Sequence, residues 1–215
     1  MANQSKPFRF LDLPPELRVR VYSHLLEFKD RLAIQNWGFS PYPVARFING
    51  LPIPVIVTVG LLATCSIVHR EATPILYGCN KLYPQDSTGF LQQIQLSVTH
   101  IRQFQLHPDE LKADRRPALV LLKAATRVSK LKVPFVPHIR EKEDENALAK
   151  ELGPLIRSLH KSQKKDDERK DRDVLDIIRM TPYMSSLPEE AKQKAKTEAK
   201  KCQTKIKSIL RKTLK

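Results

Sequence analysis

The chain is short of the local signatures on which most enzyme chemistry depends. Its 215 residues contain no phosphate-cradling Gly-rich loop, no Gly-x-Ser-x-Gly, no paired-histidine zinc motif and no cysteine pair at zinc-finger spacing. Those motifs carry phosphoryl transfer, acyl transfer and metal-assisted hydrolysis, so a non-enzymatic role without a cofactor is expected. Cysteine is scarce, and Cys65, Cys79 and Cys202 form an odd, scattered set. With no basic segment and hydrophobic run at the N-terminus, this predicts free thiols in a reducing compartment, cytoplasmic or nuclear. Cys65 and His69 share a helical face, with Cys79 further along, but a metal needs more ligands than these; small residues packing a core are expected instead, and no metal site is predicted.

Long apolar runs are also missing, with one exception. Leu51 to Val68 carries no charge and approaches the length needed to cross hydrocarbon. Pro52, Pro54 and Gly60 weaken it as a helix, and Thr58, Thr64 and Ser66 reduce its apolarity, so a buried segment is predicted and no membrane span. Acidic residues are few as well: 23 Asp and Glu stand against 38 Lys and Arg, a net charge of +15. Such an excess favours acidic partners, whether nucleic acid, anionic lipid or an acidic protein face, and by itself does not choose among them.

What is present falls into two parts. Up to about residue 138, apolar clusters alternate with Pro-containing turns; beyond it the chain is rich in Lys, Glu, Asp and Ala. The expectation is an α+β domain over 1–138 and a charged helical extension over 139–215. A first helix is predicted over Pro14–Phe28, where tandem prolines suit the opening turn and Leu17, Val21 and Leu25, with Tyr22 and Leu26 beside them, make an apolar stripe. A second is predicted over Thr58–Tyr77, kinked or split at Pro74 and ended by a left-handed Gly78. Arg31 to Pro54 between them reads as a surface insertion.

Ile101, Phe104 and Leu106 fit a strand, Arg115 to Thr126 a helix with Leu119 and Leu122 inward, and Leu131 and Val133 a second strand. The order and spacing are those of a leucine-rich-type unit, which cannot bury its own face and must lean on the N-terminal helices. Asn146 to His160 carries Leu148, Leu152, Leu155, Ile156 and Leu159 on one face, with a break expected at Gly153 and Pro154; Val174 to Met180 reads as a short helix.

Pro188 to Leu214 is predicted as one long helix with a narrow stripe of Ala191, Ala195, Ala199, Cys202, Ile206 and Leu210. From Leu187 to the end, ten Lys and Arg face three Glu, a surplus of seven. Lys200, Lys201, Lys205, Lys207, Arg211 and Lys212 either form a solvated surface or bind nucleic acid, an acidic protein surface or anionic membrane. No aromatic lies on this helix to stack a base, so readout of a particular sequence is not expected.

The segments Phe10-Leu-Asp-Leu-Pro-Pro-Glu-Leu-Arg-Val-Arg-Val-Tyr-Ser-His-Leu-Leu26 and Leu61-Leu-Ala-Thr-Cys-Ser-Ile-Val-His-Arg-Glu-Ala-Thr-Pro-Ile-Leu-Tyr-Gly78 resemble the F-box-like proteins common in filamentous fungi. The resemblance covers roughly the first 85 positions. It implies a small F-box-like helical core that binds the Skp-type adaptor of a cullin-based ubiquitin ligase and presents a target protein, whose identity it leaves open. Carried onto this chain, the contact falls on Leu13, Pro14, Leu17, Val21 and Leu25. The residues themselves leave a second reading open, in which the same stripe is the core of the domain.

Overall fold

Pro14 is extended and Pro15 occupies the first helical position, where an N–H would have had no partner. From there α1 runs over Pro15–Leu26, preceded by a 3-10 turn at Phe10–Asp12. The computed structural model describes residues 8–29, 31–35, 44–47, 59–108, 114–135, 145–166, 171–183 and 188–214.

The second helical block is divided, but not where its proline suggests. α2 spans Val59–Leu62 and α3 spans Ser66–Cys79, with a turn at residues 63–64 and an extended Cys65 between them. Pro74 lies within an unbroken α3, where it deprives only the carbonyl of Arg70, on the exposed side of the helix, of a donor. Gly78 does not end the helix in a left-handed conformation either. It is helical and buried, and a Cβ there would meet the His100 carbonyl oxygen at 3.3 Å, so its small size permits a close backbone approach. The stop comes at an extended Asn80, whose Nδ2 donates to the carbonyls of Leu76 at 2.8 Å and Leu26 at 2.6 Å, while its Oδ1 accepts from the Phe28 N–H at 2.8 Å. One buried carboxamide thus satisfies the C-terminal ends of α1 and α3 together.

The stretch expected to be a surface insertion supplies two strands instead: β1 at Arg31–Gln35 and β2 at Val44–Phe47 form an antiparallel pair. β3 (Lys81–Pro84), β4 (Gln103–Gln105), β5 (Lys130–Phe135) and β6 (Ile178–Pro182) complete a six-stranded sheet of order β2-β1-β3-β4-β5-β6. All pairings from β1 to β6 are parallel. Each crossover therefore steps in the same direction, and right-handed crossovers of that kind lay their helices on one face of the sheet.

That face is the core. α3, α4 (Ser87–Ile94), α5 (Arg116–Leu121, continued as a 3-10 turn) and α6 (Glu145–Gln163) connect successive parallel strands. Leu32, Leu82, Phe104, Leu131, Val133 and Ile178 point toward the helices and join one continuous apolar cluster. Phe90 of α4 stacks on Phe104 at 6.4 Å and lies 6.3 Å from Tyr77, and burial pushes the Tyr77 hydroxyl up to about 12. The strand, helix, strand unit expected between Ile101 and Val133 is present as β4-α5-β5, with Leu119 and Leu122 buried. It is one of several such units, and so finds its partners on both sides.

The boundary expected at residue 138 does not mark the end of the core. The segment Val174–Met180 is a 3-10 turn at Val174–Ile177 followed by β6, which pairs with β5 in the same sheet. α6 continues through Gly153 and Pro154, because Leu148, Leu152, Leu155, Ile156 and Leu159 are all buried in the shared cluster and hold it together. α7 (Glu189–Leu214) buries Ala195, Ala199, Cys202, Ile206 and Leu210 against α6 and β6. Its Gln203 accepts the outward-facing N–H of Met180 at 2.9 Å, covering an edge that would otherwise be open to pairing. The expected helical extension is thus the end cap of the sheet and its helical layer, with a polar outer face.

No helix among the described residues is long and apolar enough to cross a membrane. Residues 51–58 of the uncharged run lie outside the described residues; Leu62 and Val68 are buried.

Candidate functional site

α1 is built with two apolar rows rather than one. Tyr22 and Leu26 turn inward and are fully buried, filling the space between α1 and α3. Burying two such side chains stabilises the junction by about 1.5–3 kcal/mol each. Leu17, Val21 and Leu25, one turn apart on a neighbouring row, keep 42%, 37% and 48% of their surface exposed. Val19, beyond the buried arc, and Leu11, in the turn before the helix, are also exposed. The residues carried over from the F-box-like resemblance therefore lie at the surface, with Pro14 exposed and Leu13 half-buried. The reading of Leu17, Val21 and Leu25 as core is corrected: a helix at the edge of the layer buries one narrow arc, and Tyr22 and Leu26 occupy it.

The helix is held in that orientation by a polar clamp. Arg18 Nε and Nη2 donate to the Glu71 carboxylate at 2.9 and 2.7 Å, a two-pronged pair with both side chains largely buried. The same guanidinium donates through Nη1 to the carbonyls of Leu13 at 2.6 Å and Leu11 at 3.1 Å, tying the Leu-Pro segment to the helix it opens. Tyr22 donates its hydroxyl to Glu71 at 3.3 Å and packs edge-on against Phe10, ring centroids 5.5 Å apart. The hydrogen bonds from Arg18 hold the Glu71 carboxyl below the ordinary carboxylate range, and Glu71 in turn raises Arg18. Their pairing at a separation of 53 residues has no local signal.

The basic residues of α7 are placed differently from what their density suggests. Lys205 pairs with Glu145 at 3.1 Å, Lys207 with Asp176 at 2.7 Å and Arg211 with Asp173 at 3.0 Å. These three cations lean back onto α6 and the turn before β6, whereas Lys200, Lys201 and Lys212 are exposed. Half of the predicted anion-binding row is thus already engaged within the chain.

Cys65 is half-buried, Cys79 is exposed and Cys202 is buried, and none of the three forms a disulfide. Nδ1 of His69 lies 3.2 Å from the Leu62 carbonyl oxygen. Among the described residues no group of three or more His, Cys, Asp or Glu is placed to hold a metal ion. No protein-family model, no curated protein and no solved structure matches the chain.

Proposed function

We propose that the chain is a non-enzymatic adaptor that docks a partner protein on the outer row of α1. Inner and outer rows of this helix divide two tasks that a single stripe could not perform at once: Tyr22 and Leu26 fix α1 to the domain, and Leu17, Val21 and Leu25 remain available. That division is the observation that supports the reading. An exposed apolar row on a short helix, rigidly clamped by Arg18 and Glu71, is the kind of surface that inserts into a partner's groove at helical spacing. The F-box-like resemblance of the Leu-Pro segment and of α3 names that partner as the Skp-type adaptor of a cullin-based ubiquitin ligase, with the chain as target receptor.

The test is co-purification of the full chain with a Skp-type adaptor, compared with Leu17→Ser combined with Val21→Ser. Both substitutions lie on the solvent side, so the fold should persist and binding should fall by about 10-fold or more. A folded wild-type chain that does not bind the adaptor, or a double variant that binds equally well, contradicts the reading. The conservative pair Leu17→Met with Val21→Ile should retain binding.

A further inference from the structure

One-sided winding lays no described helix over the second face of the sheet, on which Ala33, Tyr83, Gln105 and Pro134 are buried, Arg31, Gln103, Lys130 and Lys132 half-buried, and Lys81 and Arg179 exposed. The side chains that alternate with the core positions point to this face: Arg31 on β1, Lys81 on β3, Lys130 and Lys132 on β5, and Arg179 on β6. Register aligns them into rungs. Arg31, Lys81, Gln103 and Lys130 lie side by side across four strands, and Gln105, Lys132 and Arg179 form the next rung. Ala33 and Tyr83 occupy the same face, and neither belongs to the apolar cluster beneath the sheet.

Five cations share this face, and among the described residues none of them has a carboxylate partner. Arg31 donates to Gln105 at 3.4 Å and lies 5.1 Å from the centre of the Tyr83 ring, and Lys81 donates to the Lys29 carbonyl at 3.1 Å. Burial, and then the like charges of Lys130, Arg31, Lys81 and Arg179, hold the Lys132 ammonium below the ordinary lysine value. Like charges held together on a rigid sheet constitute a standing repulsion that an anion relieves. α7, by contrast, neutralises half of its predicted row within the chain.

We infer that this partly exposed basic face of the parallel sheet is a docking surface for an extended acidic segment of a partner polypeptide. Strands lie about 4.8 Å apart, so the face spans about 19 Å from β1 to β6, within reach of about six extended residues, and Lys130 and Lys132 on β5 are about 6.6 Å apart, the interval at which alternate carboxylates recur on an extended peptide. Gln103, half-buried among the cations, carries a carboxamide suited to a peptide backbone. A nucleic acid would seek an open ring on which to stack its bases; the only aromatic on these rungs, Tyr83, is 8% exposed, with Arg31 over it and the His107 ring 5.3 Å away. The inference deepens the adaptor reading by naming the chemistry of its target and rests on that reading only in calling the ligand a target.

The experiment uses the full chain and three fluorescent probes: a peptide of about eight residues with Glu at alternate positions, the same peptide with Gln for Glu, and an oligo-dT of similar charge, each followed by anisotropy at two salt concentrations. The Glu peptide should bind, the Gln peptide should not, and Lys130→Gln with Lys132→Gln should weaken binding by about 10-fold or more. Lys200→Gln with Lys201→Gln removes the same charge from α7 and should change affinity by less than about 2-fold, because charges beyond a Debye length are screened. If the β5 pair perturbs folding by circular dichroism, the exposed Lys81→Gln with Arg179→Gln carries the same test. Absence of Glu-peptide binding at low salt, equal losses from the α7 pair, or tighter oligo-dT binding that is lost in the sheet variants overturns the inference. Leu17→Ser with Val21→Ser should leave peptide binding intact, so failure here is distinct from failure of the adaptor contact.

Discussion

Arg18 of α1 and Glu71 of α3 meet through two hydrogen bonds of 2.9 and 2.7 Å, and the same guanidinium holds the carbonyls of Leu11 and Leu13. One side chain therefore sets both the seat of α1 on the domain and the path of the Leu-Pro segment leading into it. The orientation of the exposed row Leu17, Val21 and Leu25 depends on this junction. Because the Arg18 hydrogen bonds lower the Glu71 carboxyl in the folded state, its contribution is present above the unfolded carboxylate value and is lost as pH falls through the folded one. Amide hydrogen exchange of α1 should accelerate toward acid before the rest of the domain opens. Glu71→Gln should show fast exchange in α1 already at neutral pH and a flatter acid dependence.

The two rows of α1 predict opposite outcomes for similar substitutions. Leu26→Ala should lower stability by about 2–5 kcal/mol through lost burial and the cavity left behind, whereas Leu17→Ala should change it by less than about 0.5 kcal/mol. Denaturant titration distinguishes them. Equal losses would place Leu17 in the core and remove the surface on which the adaptor reading depends.

Asn80 ends two helices at once, so its replacement should be costly for a small polar side chain. Asn80→Ala leaves the Leu26 and Leu76 carbonyls and the Phe28 N–H without this partner, and a loss of about 1–3 kcal/mol is expected by thermal or chemical unfolding. Asn80→Asp keeps the acceptor for Phe28 and removes the donors, and should be at least as damaging.

α7 is predicted to be structural along its inner stripe and tolerant along its outer one. Ile206→Ala should cost about 2–5 kcal/mol, and Lys200→Gln with Lys201→Gln should be within about 0.5 kcal/mol of the wild type. Removing 189–215 should uncover the outer edge of β6 and the apolar surface of α6, and the shortened chain should aggregate during size-exclusion chromatography.

Tyr77 provides a readout of core integrity at high pH. Burial raises its hydroxyl to about 12, so the folded state favours the neutral phenol. This contribution is present below the unfolded tyrosine value and is lost as pH rises through the folded one. Ultraviolet titration should show one phenol ionising late, near 12, and Tyr77→Phe should remove that step while leaving the earlier ones.

Helices with strong spacing were legible from the chain. Pro14 and Pro15 mark the start of α1, and the row from Ala195 to Leu210 marks the buried side of α7. The β4-α5-β5 unit was visible because its apolar positions change from one period to the other within thirty residues. β6 was not, since Ile178, Met180 and the preceding Val174 and Leu175 are too few to separate a strand from a helix turn. β1 and β2 were hidden for a related reason: they are short, and the aromatic- and Pro-rich surroundings read as a loop. The basic sheet face left only a faint trace, the alternation Lys130, Leu131, Lys132, Val133, which becomes a surface only when neighbouring strands align in register.

Local chemistry written along the chain determined where helices open, which side of each is apolar, and that the molecule carries a large positive surplus. Those properties depend on residues three or four apart, which always meet on the same helix. Tertiary structure alone decided that Arg18 answers Glu71, that α7 closes an edge rather than trailing from a domain, and that five separate cations share one face of the sheet. Each of those outcomes joins residues tens of positions apart, and it is strand pairing and the one-directional winding of the crossovers that bring them together.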